Sequence, residues 1–199
     1  MSANVHVLVL AAGASTRLGQ PKQLVQIGGR PALHIALSNA VAVAGNAVTV
    51  VIGANASDLT YLLAHSPASS IVNRQWDEGI ASSLRCGLSV LPASADGVMI
   101  VLGDQVCVTS DDLKRLLAAW QKQDNDIAAA TYDRHVGVPA IFPRWCFSEL
   151  AQLRGDEGAR KILQRNPDRL VRVPMSNAGF DLDTPEDLAA LTKKITNEV

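Results

Sequence analysis

Apolar residues along this chain fall into two rhythms that alternate. Unbroken runs of β-branched residues and leucine over residues 5–10, Val48–Ile52 and Gly97–Leu102 have the composition of strands buried on both faces. Residues 70–72, 126–131 and 170–173 predict further strands, and an irregular stretch from Tyr132 leads into a short strand ending at Pro143. Between them lie helical patterns. Ala32–Ala44 sets small and aliphatic residues at helical spacing, and residues 58–64, capped by Ser57, 111–120 and 147–152 read as helices. Gly155 ends one helix, Asp156 caps the next, and Thr184 caps the last, with Pro185 at its first position. Strand and helix in strict alternation predict an α/β fold, a three-layer Rossmann-like arrangement with a mostly parallel sheet and helices on both faces.

The first strand stops abruptly in small residues. Leu10, Ala11, Ala12 and Gly13 leave the backbone uncovered, so successive amides can approach an anion, and Gly13 can take a positive φ if the turn demands it. Two cations follow, Arg17 and Lys22, and no acid occurs before Asp58. Bare amides with fixed positive charge at the carboxyl end of a buried strand form a polyphosphate cradle. Better-known phosphate loops do not fit. Gly13 and Gly19 are separated by five residues, not four, and Gln20-Pro21 stands where a Walker loop needs Lys-Ser/Thr; a dinucleotide fingerprint needs Gly-x-Gly-x-x-Gly.

Composition narrows the partners. With 199 residues the chain suits one domain. A net charge of −1 and 4% aromatic residues offer neither a basic face for duplex nucleic acid nor a platform for stacking bases, so a small molecule is the expected partner. Cys86, Cys107 and Cys146 are odd in number and far apart, which fits a reducing cytoplasm rather than a disulfide or zinc framework. The leading apolar run is too short for a membrane span and lacks the positive start of a secretion signal.

Three acids stand out. Asp104 lies at the exit of the Gly97–Leu102 run, where a carboxylate is costly unless its charge is met; it is either a turn former or a ligand for Mg²⁺, which keeps one or two protein carboxylates beside substrate phosphates. Asp181 and Asp183 are spaced to share one face, where their repulsion favours a cation or donor. In the middle of the chain, Gly79, Ser82, Ser83 and Gly87 begin a helical run whose serines either cap it or face a ligand.

The order Leu-Ala-Ala-Gly-Ala-Ser-Thr-Arg-Leu-Gly then Pro-Lys-Gln-Leu, Gly-x-x-Ser-Ser-Leu, Gly-Asp-Gln and Asp-x-Asp-Thr-Pro-Glu-Asp resembles the nucleotidyltransferases related to the molybdenum-cofactor cytidylyl- and guanylyltransferases. The resemblance implies a nucleotide-diphospho-sugar transferase type of fold. It implies catalytic roles for Arg17, Lys22 and Asp104, and nucleotide contacts from Leu10, Ala11, Ala12, Gly13, Arg17, Lys22, Gly79, Ser82, Ser83 and Gly87. It further implies Mg²⁺ on Asp104 and on Asp183 or Asp181, with Asp183 favoured. Ala-Ala-Gly and Gly-Asp-Glu-Gly-Ala-Arg resemble the cytidylyl branch, so CTP and the molybdopterin phosphate are the implied substrates, and a molybdenum hydroxylase or its chaperone a possible partner. GTP or another triphosphate with a sugar or polyol phosphate, or an accessory protein without turnover, are the alternatives. Val138 stands where the family usually has histidine, which leaves the acceptor open.

Overall fold

A computed structural model describes residues 4–197, with side chains placed through Leu191. In chain order the elements are β1 (Val5–Ala11), a hairpin of β2 (Gln26–Ile27) and β3 (Arg30–Pro31), α1 (Ala32–Ala44), β4 (Val48–Ile52), α2 (Ala56–Leu63) and β5 (Ser69–Val72). There follow α3 (Ile80–Leu88), β6 (Gly97–Leu102), α4 (Ser110–Lys122), β7 (Ile127–Tyr132), β8 (His135–Pro143), α5 (Phe147–Ala151), α6 (Arg160–Arg165), β9 (Leu170–Pro174) and α7 (Pro185–Asn197). Seven strands form one sheet in the order β5-β4-β1-β6-β8-β7-β9. Only β8 runs against its neighbours; the remaining pairings are parallel.

The period of two along β1 divides the core. Val7, Val9 and Ala11 face a layer formed with α1, α2 and α4, while Leu8, Leu10 and Ala12 face the layer of α3, α5 and α6. A third apolar cluster lies outside both. Leu18, Val25 and Ile27, from the segment after β1, pack on Ala32, Leu182 and Leu191. That cluster draws the loop after β1 and the approach to α7 to the same place, although Leu18 and Leu182 are 164 positions apart in the chain. Leu182 is fully buried, so its two neighbours, Asp181 and Asp183, are turned away from the cluster. Truncating Leu182 to alanine is expected to cost about 2–5 kcal/mol, measured by urea unfolding, because a fully buried leucine loses both its burial and its packing.

Several local expectations need correction. α2 starts at Ala56 behind Asn55, not behind Ser57, because the amide of Ala56 already turns back onto the carbonyl of Gly53 at 3.0 Å. β8 is a nine-residue strand, longer than the run into Pro143 suggested. It is joined to β7 by Asp133 and Arg134 at φ 45° and 64°, a tight hairpin without the glycine that normally announces one. Asp156 does not cap α6; Ala159 precedes that helix, and Gly155 at φ 57° turns the chain between α5 and α6. Thr184 and Asp187 do cap α7 reciprocally: each backbone amide donates to the other's side chain, at 2.8 and 3.2 Å.

Candidate active site

β4 and β5 lie to one side of β1 and β6 to the other, so the crevice at the carboxyl ends of β1 and β6 is a topological switch point, where open α/β sheets take their ligands. A cavity of about 440 Å³ opens there. Leu10, Ala11, Ala12, Gly13, Lys22, Gly79, Ser83 and Asp104 all line it, together with Trp76, Asp77 and Asp156.

The loop after β1 is shaped by a buried amide. Gln23, 2% exposed, donates through Nε2 to the carbonyls of Ala11 at 3.0 Å and Gly13 at 2.9 Å, tying the loop back to the end of β1. Ser15 accepts the amide hydrogen of Lys22 at 3.1 Å. It is Ser15, at φ 58°, and not Gly13, that takes the left-handed conformation. A methyl on Gly13 would meet nothing within 4 Å, so the bare backbone there faces open cavity.

Opposite the loop, β6 ends in Gly103 and Asp104. Asp104 is 7% exposed, and Lys22 Nζ lies between it and Asp183, ion-paired to Asp104 Oδ2 and 3.0 Å from Asp183 Oδ1. Burial alone would lower the Lys22 pKa, but the Asp104 and Asp183 carboxylates outweigh it and hold the ammonium above its ordinary range. Arg17 closes the group from the solvent side, with Nη2 2.8 Å from Asp183 Oδ2. Next to Asp104, the buried Gln105 donates to the carbonyls of Val138 and Ala178, each at 3.0 Å, and so fastens the β6 exit to β8 and to the approach to α7.

Asp181 lies beside this group at an exposed edge. Desolvation by the surrounding protein, then the Asp104 and Asp183 carboxylates, push its carboxyl up from 3.8 to about 6 despite the nearby Lys22. Among the described residues it does not complete a three-ligand metal group with them. The folded protein keeps a proton on Asp181 up to about pH 6, where the unfolded chain has lost it, so stability falls as pH rises from about 4 to about 6. In metal-free buffer, Asp181→Asn is expected to raise the urea midpoint at pH 7 and to match the parent at pH 4.

Asp104 and Asp183 converge on a single point from two sides. Hard divalent cations accept such an oxygen pair and complete their shell with phosphate and water, so this donor set fits Mg²⁺ or Mn²⁺.

The start of α3 forms the remaining wall. Asn73 Nδ2 donates to the hydroxyls of Ser82 at 2.7 Å and Ser83 at 3.1 Å, and Ser82 in turn donates to the Gly79 carbonyl at 2.8 Å. Ser83 reaches the cavity, and Ser82 does not line it. Gly79 is required by crowding: at φ 110°, any Cβ would stand 2.5 Å from the Asp156 carboxylate and from the Gly155 carbonyl. Gly87 lies away from the cavity and serves packing instead, since a Cβ there would meet Leu8 at 2.8 Å and Val51 at 3.0 Å. Gln23, Asn73 and Gln105 escape a reading of motifs because each acts on neighbouring backbone or hydroxyls; a polar amide closing an apolar run is the signal they leave.

The MobA-like NTP transferase domain profile matches residues 7–170. The chain is 29% identical over 189 residues to the purine catabolism protein PucB of Bacillus subtilis (strain 168), covering 89% of this chain and 91% of that one. It is 28% identical over 195 residues to the nicotine blue oxidoreductase of Paenarthrobacter nicotinovorans, covering 92% and 94%. Among solved structures it superposes on Rv0371c from Mycobacterium tuberculosis H37Rv with a TM-score of 0.84 at 29% identity, over 97% of this chain and 100% of that one. Rv0371C has also been solved as a complex with manganese, at TM-score 0.81 and 26% identity over the same shares. With the phosphate-loop geometry and the crevice already in place, a match across most of the length settles the assignment: the chain belongs to the MobA-like NTP transferase family and is a nucleotidyltransferase.

Proposed function

We propose that the enzyme transfers CMP from CTP to the terminal phosphate of a molybdopterin, releasing pyrophosphate, with Mg²⁺ as the cation. The observation that carries this reading is Lys22 lodged between Asp104 and Asp183 at one end of a cavity walled by bare backbone. An oxygen of the acceptor phosphate attacks the α-phosphorus, the bond from that phosphorus to its β-bridging oxygen breaks, and pyrophosphate carries off the electron pair. A phosphate monoester is ionised near neutral pH, so no general base is needed.

Both reactants are anions, and the chain's task is to neutralise and align them. Asp104 and Asp183 would hold the cation, which would supply positive charge to offset that of the two reacting phosphates. Lys22 and Arg17 then turn to the triphosphate, and the backbone of Ala12 and Gly13 lines the same space. Ala11-Ala12-Gly13 and the run from Gly155 to Arg160, which resemble the cytidylyl branch, support CTP. Nicotine blue oxidoreductase is named for redox chemistry; the absence of a dinucleotide fingerprint in this sequence supports transfer here.

Among the described residues no helix is long and apolar enough to cross a membrane. We read the protein as one cytoplasmic domain that supplies its product to a molybdenum hydroxylase or its chaperone. Incubation with Mg²⁺, each labelled triphosphate in turn and candidate acceptors tests the assignment. Pyrophosphate release that requires CTP and molybdopterin together is expected; release with GTP, or with a sugar phosphate in place of the pterin, would overturn it.

A further inference from the structure

The reversal of β8 has a chemical result. Because it runs against its neighbours, its first residue, His135, lies at the same edge of the sheet as the exits of β1 and β6. Tyr132, at the end of β7, is paired in register with His135 across the hairpin. Its ring lies where two side chains are missing: a Cβ on Gly137 would stand 2.3 Å from the Tyr132 hydroxyl, and one on Gly179 would stand 3.0 Å from the ring. Arg160 opens α6 on the far side, with Nη2 3.3 Å from His135 Nδ1.

These groups hold donors that the protein does not use. Arg160 is in no ion pair among the described residues, and the half-buried Tyr132 hydroxyl makes no hydrogen bond among them. Since guanidinium can only donate, His135 Nδ1 must be accepting, which leaves its Nε2–H free as a donor. Tyr132 interacts electrostatically with both Arg160 and Asp181, and Asp181 with Asp104, so the trio adjoins the acidic group while lying outside the residues that line the nucleotide cavity.

We propose that Tyr132, His135 and Arg160 form an anion subsite that receives the phosphate monoester of the acceptor. The inference rests on the reading above in one respect: Asp104 and Asp183 mark where the nucleotide's α-phosphate lies. Arg160 supplies the charge, His135 holds the guanidinium in place and adds its Nε2–H, and the tyrosine hydroxyl spans the gap towards the acids. Substrates without a phosphate would leave these donors unmatched.

Inorganic phosphate is the probe. It is titrated into the protein with Mg²⁺, with and without the non-hydrolysable α,β-methylene analogue of CTP, while the ring resonances of His135, His34 and His65 are followed by NMR. Saturable movement of His135 alone is expected. Arg160→Gln should weaken phosphate binding about tenfold or more, and Tyr132→Phe, which keeps the ring over Gly137 and Gly179, about threefold to fivefold, both leaving the affinity for the analogue unchanged. Equal movement of all three histidines, or parent-like affinity in Arg160→Gln, would overturn the subsite. Failure of the analogue to bind would instead count against CTP, and the titration without it still judges the subsite.

Discussion

Asp104→Asn lowers kcat about a thousandfold and leaves the far-UV spectrum unchanged. The magnitude follows from losing a preorganised electrostatic group where charge is redistributed during transfer, an effect of order 10²–10³ for one such contact, here raised by the loss of a cation ligand. The fold is spared because Asp104 contributes no core packing. Its backbone continues a strand exit held by Gln105, and Lys22 keeps Asp183 as a partner. An amide of the same size isolates charge from shape. Activity in Asp104→Asn within tenfold of the parent would remove this carboxylate from the chemistry.

Lys22→Gln should cut kcat by about 10²-fold and at the same time strengthen the binding of Mn²⁺ in the absence of nucleotide. The Lys22 ammonium lies between the two carboxylates that would grip the cation. A free metal ion must therefore expel a held positive charge. A triphosphate removes the conflict by offering Lys22 a new anionic partner, which couples the two binding events. Without the ammonium, Mn²⁺ affinity measured calorimetrically should rise roughly tenfold, the ratio that corresponds to about 1.4 kcal/mol. Unchanged metal affinity in this variant would show that lysine and cation do not compete for one place.

Much of the architecture was legible because long apolar runs leave little choice. Val48–Ile52, Gly97–Leu102 and Ala32–Ala44 form elements with the limits their patterns suggest. What stayed hidden depends on contacts between distant parts of the chain. The hairpin at Asp133 and Arg134 carries no glycine, so nothing local declares it, and the length of β8 follows from pairing on both sides with β6 and β7. Gly87 resembles a ligand contact in a motif, yet its reason is the approach of Leu8 and Val51 from neighbouring strands. Lys22, Asp104 and Asp183 do meet. Their meeting depends on the cluster around Leu18 and Leu182, whose members are ordinary leucines in any single window of sequence. Asp156 shows the reverse: a residue suited to capping a helix is instead carried to the cavity wall by the turn at Gly155.

The patch of side chains joining Leu18, Leu182 and Leu191 is small and shares no strand pairing with the seven-stranded sheet. Warming should therefore release it first, parting Arg17 from Asp183 while the layers beneath stay folded. Inactivation by heat is then a local event, seen as turnover lost several degrees before circular dichroism changes, and it reverses on cooling because the sheet that rebuilds the patch never came apart.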